Sequence, residues 1–343
     1  MIDRLINGFA DIVKMAVSHE AGRPRVHNND WPFEVIWGSD AHAIEGCDYH
    51  NDIYIQQGIN EFTSILRAIE ALKERSTGLE IGFRRGGSHL IFREYFKKFI
   101  SVELNPRSLL MFVQNSVLDE RSEFIIGYST STPVVNKVKE IVGGRLDFVF
   151  IDGDHSFEGV KSDFLTYWPL LSNDGVLAIH DVDCPHVPEV KDIYEFVQEL
   201  RQLDFSMDVV HIDYCGVAII KKDERNRDIK LPENRYLTAF DSLPKNVRIC
   251  LYGASKFGSA IRRKLEKNRK DIEIKCFIDT FKEGFEDGLS IINVKQLDNH
   301  MYDSDMILIT SIYSREIEKT LISKGISNYK IAMPFLTDPA YGC

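Results

Sequence analysis

The first seventeen residues, MIDRLINGFADIVKMAV, place apolar side chains at helical spacing but break them with Asp3, Arg4, Asp11 and Lys14. That pattern reads as an amphipathic helix and not as the apolar centre of a signal peptide. Residues 19–54 are polar and aromatic, rich in Asn, Asp, His and Trp, and follow no strand or helix period. So long a stretch without rhythm suits a lid over a site or an entry arm. A second helix follows, with Ile59, Phe62, Ile65, Leu66, Ile69 and Leu72 three and four residues apart.

From Gly78 onward short apolar runs alternate with helical patterns. The runs at 79–81, 99–104, 124–126, 146–151 and 176–179 predict buried strands, and the stretches 88–98, 107–118, 133–142, 157–171 and 189–203 predict helices. This alternation implies an α/β fold, a doubly wound parallel sheet with helices on both faces. Two further runs, 207–212 and 216–220, lie close enough to form a closing antiparallel hairpin on that sheet. Next comes KKDERNRDIKLPENRY, charged and poor in apolar residues, which predicts a linker. A smaller α/β unit then begins, with strands at 248–252, 273–278 and 305–310 and a helix at 259–268. The expected organisation is a helical lid segment over 1–76, a nucleoside-binding domain over 77–222, a linker over 223–245 and a small Rossmann-like domain over 246–343.

Composition narrows the function classes. The 343 residues suffice for two domains, and 44% hydrophobic with 27% charged residues excludes wholesale disorder. A formal charge of -10 argues against a duplex-coating nucleic-acid binder. No apolar run approaches the roughly 18–20 residues a membrane span needs. Six scattered cysteines without a CxxC pair predict a reducing, cytoplasmic setting. Cys47 between His42 and His50 offers three zinc-ligand types in one loop, a weak pattern by itself.

Two groups of residues carry chemistry. Glu80-Ile81-Gly82-Phe83-Arg84-Arg85-Gly86-Gly87-Ser88 follows the first buried strand and opens a helix, where glycines let a ligand approach backbone N–H groups. The next strand ends at Glu103, in position to grip a ribose hydroxyl pair. The fourth strand runs into Asp152-Gly153-Asp154-His155 and the fifth into His180-Asp181. Ligands of open parallel sheets sit beyond the carboxyl ends of the strands, so both clusters converge on one crevice. Asp152, His180 and Asp181 are of the right types for a divalent cation, while Asp154 or Ser156 suits a cap on the following helix.

The runs LEIGFRRGGSH, SVELNP, FVFIDGDHSFEGVKSDF and GVLAIHDVD, in that order and spacing, resemble the class I S-adenosylmethionine-dependent methyltransferases. The likeness covers roughly residues 61–221 and is nearest the branch of cephalosporin-hydroxylase-like proteins and macrocin-type and aminocoumarin-type metal-dependent sugar O-methyltransferases. It implies that Glu80, Gly82, Gly87 and Ser88 line the methionine end of the cofactor and that Glu103 holds its ribose. It also implies that Asp152, beside the cofactor, and Asp181 bind Mg²⁺ or another divalent cation. Asp154 or His155 would take the acceptor's proton, a task suited to imidazole, which ordinarily titrates near neutrality. His180 stands where such enzymes often carry a carboxylate, and Arg84 and Arg85 where many carry small residues.

The C-terminal turn Gly253-Ala254-Ser255-Lys256-Phe257-Gly258, with Asp279 ending the next strand, imitates a dinucleotide fingerprint whose middle glycine is Ser255. It resembles the small Rossmann-like domains appended to some sugar-modifying methyltransferases and acyltransferases, and either nucleotide-sugar binding or assembly into a homo-oligomer is compatible with it. The expectation is an S-adenosylmethionine-dependent, metal-assisted O-methyltransferase acting on a sugar, nucleotide-sugar or glycosylated small molecule. The N-terminal segment, with Trp31, Trp37, His42 and Tyr54, would cover the acceptor. The rival readings are a nicotinamide-dependent oxidoreductase built on the C-terminal turn and a non-catalytic nucleotide-binding scaffold.

Overall fold

The computed structural model describes residues 36–37, 54–55, 57–115, 120–184, 187–188, 190–210, 215–286, 288–297 and 304–338. The expected N-terminal helix, nearly all of the aromatic segment and the His42–Cys47–His50 group lie outside the described residues. Two compact units make up the chain, Met1–Pro232 and Glu233–Cys343. Among the described residues no helix is long and apolar enough to cross a membrane.

In the first unit, β1 (Ile36–Trp37) pairs in parallel with β2 (Tyr54–Ile55), and α1 (Ile59–Glu70) follows. The main sheet contains β3 (Thr77–Ile81), β4 (Lys98–Glu103), β5 (Ser122–Ile126), β6 (Leu146–Ile151), β7 (Leu171–His180), β8 (Asp208–Val210) and β9 (Val217–Lys221). Its spatial order is β5-β4-β3-β6-β7-β9-β8. Strands β3 to β7 are parallel, whereas β9 runs antiparallel to both β7 and β8. The doubly wound sheet with a closing hairpin therefore stands as the sequence predicts. Helices α2 (Gly87–Phe92), α3 (Pro106–Asn115), α4 (Thr132–Val142), α5 (Phe157–Tyr167) and α6 (Lys191–Gln202) connect the strands. The chain builds outward from β3 to β5, then returns to lay β6 on the other side of β3. That reversal opens a crevice at the carboxyl ends of β3 and β6.

Helix α1 shows how the apolar pattern positions the site. Its stripe of Phe62, Ile65, Leu66 and Ile69 is buried against Phe148 and Phe150 of β6, Val176 and Ala178 of β7, and Val217 of β9. Each such side chain contributes roughly 1.5–3 kcal/mol through removal from water. Strand side chains alternate between faces, so the next positions in phase with Phe150 and Ala178 are Asp152 and His180. The polar residues at the strand ends thus continue the face that α1 covers.

Element ends move where local chemistry overrides periodicity. The helix expected over 88–98 stops at Phe92 and tightens into a 3-10 turn at Arg93–Tyr95. Phe92, Phe96 and Phe99 all enter one apolar cluster, which requires the chain to turn back at once. Strand β7 begins at Leu171, five residues before its continuous apolar run, because residues 172–174 are not buried and so can be polar.

The second unit carries a seven-stranded sheet in the order β10-β16-β15-β11-β12-β14-β13. The strands are β10 (Tyr236–Leu237), β11 (Arg248–Tyr252), β12 (Glu273–Asp279), β13 (Gly284–Glu286), β14 (Leu289–Asn293), β15 (Met306–Ile309) and β16 (Tyr329–Ala332), joined in part by α7 (Lys256–Asn268) and α8 (Ser314–Ser323). The linker expected over 223–245 is corrected at both ends. Asn226 is buried and its side chain bonds Ser206 and Lys221 of the first unit, whereas Tyr236–Leu237 pairs with β16 in the second. Charge density conceals these anchors, because each uses only one or two buried residues.

Candidate active site

The loop after β3 is shaped by contact with the end of β6. Gly82 adopts φ +94°, and a Cβ there would stand 1.9 Å from the carbonyl oxygen of Asp152. The close approach is fixed by Gly82 N–H donating to Val102 O at 3.0 Å and Asp152 N–H donating to Ile81 O at 2.9 Å. Arg84 takes φ +44°, uncommon for a residue with a side chain. This turns its N–H onto Glu103 Oε2 at 2.7 Å, while Asn105 N–H reaches Glu103 Oε1 at 2.7 Å. Two backbone donors thereby hold the Glu103 carboxylate at the carboxyl end of β4.

Behind the loop Glu80 is fully buried and accepts hydrogen bonds from the hydroxyls of Ser88 and Ser101, the latter at 2.7 Å. Burial pushes its carboxyl up to about 8, against those two hydroxyls, which act to lower it. His89 continues the buried polar chain, with Nδ1 2.7 Å from Ser101 Oγ and Nε2 2.9 Å from Ser122 Oγ.

A cavity of about 630 Å³ opens in front of the loop, and Gly82, Ser88, Glu103, Asp152, Asp154, His155, His180 and Asp181 all line it. Glu80 and Gly87 are not among its lining residues. Glu80 braces the loop from behind, and Gly87 is buried as the first residue of α2.

Asp152, His155 and Asp181 bring one ligand atom each within 4.8 Å of one another. His155 Nε2 lies 3.4 Å from Asp181 Oδ2. The expected His180 meets the same two carboxylates from the other side: Nδ1 stands 3.3 Å from Asp152 Oδ1 and 3.2 Å from Asp181 Oδ1, and Nε2 stands 3.3 Å from Glu61 Oε2. Burial alone would push this imidazole down, but the charges of Asp152 and Asp181 outweigh it and hold His180 well above the usual histidine range. For Asp181 burial acts upward, and the charges of His180, His155 and Arg84 prevail to hold it below the usual carboxylate range.

Asp154 Oδ1 accepts the Ser156 N–H at 2.9 Å, and Ser156 caps α5 by accepting the Gly159 N–H at 3.1 Å. The capping hydroxyl is therefore Ser156, with Asp154 bracing the turn. Two residues that sequence reasoning passed over also belong here. Gln57 Nε2 donates to Asp152 Oδ2, and the buried Glu61 accepts from Gly216 N–H at 2.8 Å besides facing His180. A charged residue in helical phase with Ile65, Ile69 and Leu72 was the available signal for Glu61.

In the second unit Ser255 stands where a dinucleotide fingerprint has its middle glycine, and its hydroxyl caps α7 by accepting the Gly258 N–H at 3.3 Å. Asp279 is likewise held by backbone, Oδ2 accepting from Ala254 N–H and Oδ1 from Phe281 and Lys282 N–H.

Residues 79–182 match the family described as Methyltransferase domain, and residues 245–332 match C2185-like, N-terminal. No curated protein matches the chain. Among solved structures it is similar to the S-adenosylhomocysteine-bound methyltransferase PaMTH1 of Podospora anserina, at 18% identity over 48% of this chain and 78% of that one, with a TM-score of 0.38. It is similar to the methyltransferase MycE of the mycinamycin pathway, solved with Mg and S-adenosylhomocysteine, at 20% identity over 50% of this chain and 52% of that one, with a TM-score of 0.37. The N-methyltransferase NodS of Bradyrhizobium japonicum matches at 14% identity over 48% of this chain and 96% of that one, with a TM-score of 0.36. The family match falls on the strands and loops that frame the cavity, and residues 79–182 form a methyltransferase domain.

Proposed function

We propose that the protein transfers a methyl group from S-adenosylmethionine to a hydroxyl of a sugar or glycosylated small molecule, with a divalent cation held by Asp152 and Asp181. The observation that carries this reading is the meeting of Asp152, Asp181 and His155 at the cavity. Two carboxylates beside an imidazole fit a divalent cation.

When bound, the cofactor supplies a sulfonium methyl and the cation lowers the pKa of a nearby hydroxyl. The protein's own residues do the rest. Glu103, fixed by two backbone donors, receives the ribose hydroxyls, and Gly82 lets the loop close against the end of β6. Asp152 and Asp181 would hold the cation. His155 accepts the hydroxyl proton at Nε2 as the new O–C bond forms and the S–C bond breaks. Much of the acceleration then comes from holding two reactants in line.

The test is methyl transfer from labelled S-adenosylmethionine to a panel of nucleotide-sugars and glycosides. Product formation with Mg²⁺, abolished by EDTA and by Asp152→Asn or Asp181→Asn, is expected. Transfer that survives EDTA and both substitutions would overturn the metal assignment, and transfer to amines but to no sugar would overturn the acceptor class.

A further inference from the structure

We propose that Glu61 is a positioning residue of the acceptor site and acts on it through His180. The inference rests on the metal-assisted reading above. Glu61 lies in the first turn of α1, outside the matched residues 79–182. Its carboxylate is fully buried and joins three elements. Oε1 accepts the Gly216 N–H at 2.8 Å, just before β9; Oε2 accepts the Gly58 N–H at 3.4 Å, at the head of its own helix; and Oε2 faces His180 Nε2 at 3.3 Å, at the end of β7.

Capping α1 does not by itself require a buried carboxylate. A capping glutamate works well in solvent, whereas a carboxylate buried on an apolar stripe costs several kcal/mol unless it is fully paired. Here the stripe of Ile65, Ile69 and Leu72 continues through Glu61, a position that packing would fill with an apolar side chain. The charge is accounted for by what lies opposite. His180 turns Nε2 toward Glu61 and Nδ1 toward Asp152 Oδ1 and Asp181 Oδ1, at 3.3 and 3.2 Å. One ring edge thus gathers the two carboxylates, while Glu61 sets the ring's rotation from the other edge. Groups that hydrogen-bond the ligating carboxylates serve this orienting purpose in metal sites, and their loss typically lowers metal affinity by about 10–100-fold. Gln57, four residues earlier, donates to Asp152 Oδ2, so the start of α1 touches the carboxylate pair by two routes.

The experiment is a Mn²⁺ titration of the full chain followed by electron paramagnetic resonance, on wild type, Glu61→Gln, His180→Gln and the double variant. Calorimetric binding of S-adenosylmethionine is measured on each. Glu61→Gln keeps an acceptor for Gly216 N–H but removes the charge that orients His180. Each single variant is expected to bind Mn²⁺ about 10–100-fold more weakly, with the double variant no weaker than His180→Gln alone and cofactor affinity held within about twofold. Wild-type affinity in Glu61→Gln would overturn the proposal, as would losses that multiply in the double variant or fall equally on the cofactor. If Glu61→Gln does not fold, Glu61→Asp, which keeps the charge but shortens its reach, is judged by the same limits. A wild-type protein that binds no Mn²⁺ would instead remove the metal reading and this proposal with it.

Discussion

Replacing Gly82 by Ala tests how tightly the cofactor loop and the acceptor site are joined. An alanine Cβ there would lie 1.9 Å from Asp152 O and 2.6 Å from Asp152 C, both backbone atoms that no rotamer change can move. Ordinary contact begins near 3.4 Å, so the loop and the end of β6 must part by about 1.5 Å. The left-handed backbone adds about 1–2 kcal/mol for any residue with a Cβ. Parting the loop from Asp152 displaces cofactor and acceptor contacts together, and a misplacement near 1 Å commonly costs about 100-fold in rate, or roughly 2.7 kcal/mol of barrier. Gly82→Ala is therefore expected to lower kcat/KM by at least about 100-fold and to weaken both S-adenosylmethionine and Mn²⁺ binding in calorimetry. Gly143→Ala is the control, since it has φ +61° but nothing within 4 Å of the added carbon. It should show the backbone cost in urea unfolding and leave both affinities alone. If Gly82→Ala bound cofactor and metal like wild type, the close packing of loop against Asp152 would not matter to function.

Further outcomes follow from the core and from Glu80. Phe62→Ala empties a fully buried position between α1 and the sheet and should cost about 3–5 kcal/mol in urea denaturation; a cost below about 1 kcal/mol would mean that α1 is not packed as described. Because burial raises Glu80 to about 8 in the folded chain, the folded state holds a proton that the unfolded state releases from its ordinary value of 4.5 upward. Stability associated with Glu80 is therefore present at acid pH and lost as pH rises from about 4.5 to about 8. Glu80→Gln should flatten the fall of the urea midpoint over that window, and an unchanged pH profile would show that Glu80 is ionised when folded.

Much of the first unit was legible because buried parallel strands must be apolar on both faces. The runs at 79–81, 99–104 and 146–151 could be read without knowing their neighbours, and Glu103, Asp152 and Asp181 follow from strand ends. The second unit was harder. Gly284–Glu286 is a three-residue edge strand with Phe285 exposed, and Tyr236–Leu237 is only two residues long within a charged stretch, so neither shows a period. At the site the sequence supplied two histidines but not the second partner of His180. Strand alternation accounts for it: His180 shares the face of Val176 and Ala178, beneath α1, and so meets Glu61. That pairing spans 119 positions of sequence, beyond any local pattern.

The proposed function rests on binding of S-adenosylmethionine by the first unit through the β3 loop and Glu103. Calorimetric titration of the purified chain with S-adenosylmethionine, with NAD as control, tests it most directly on wild type and Glu103→Ala. Binding of S-adenosylmethionine by wild type, its loss in Glu103→Ala, and no heat from NAD are expected. Binding of NAD without S-adenosylmethionine, or cofactor binding indifferent to Glu103→Ala, would contradict it.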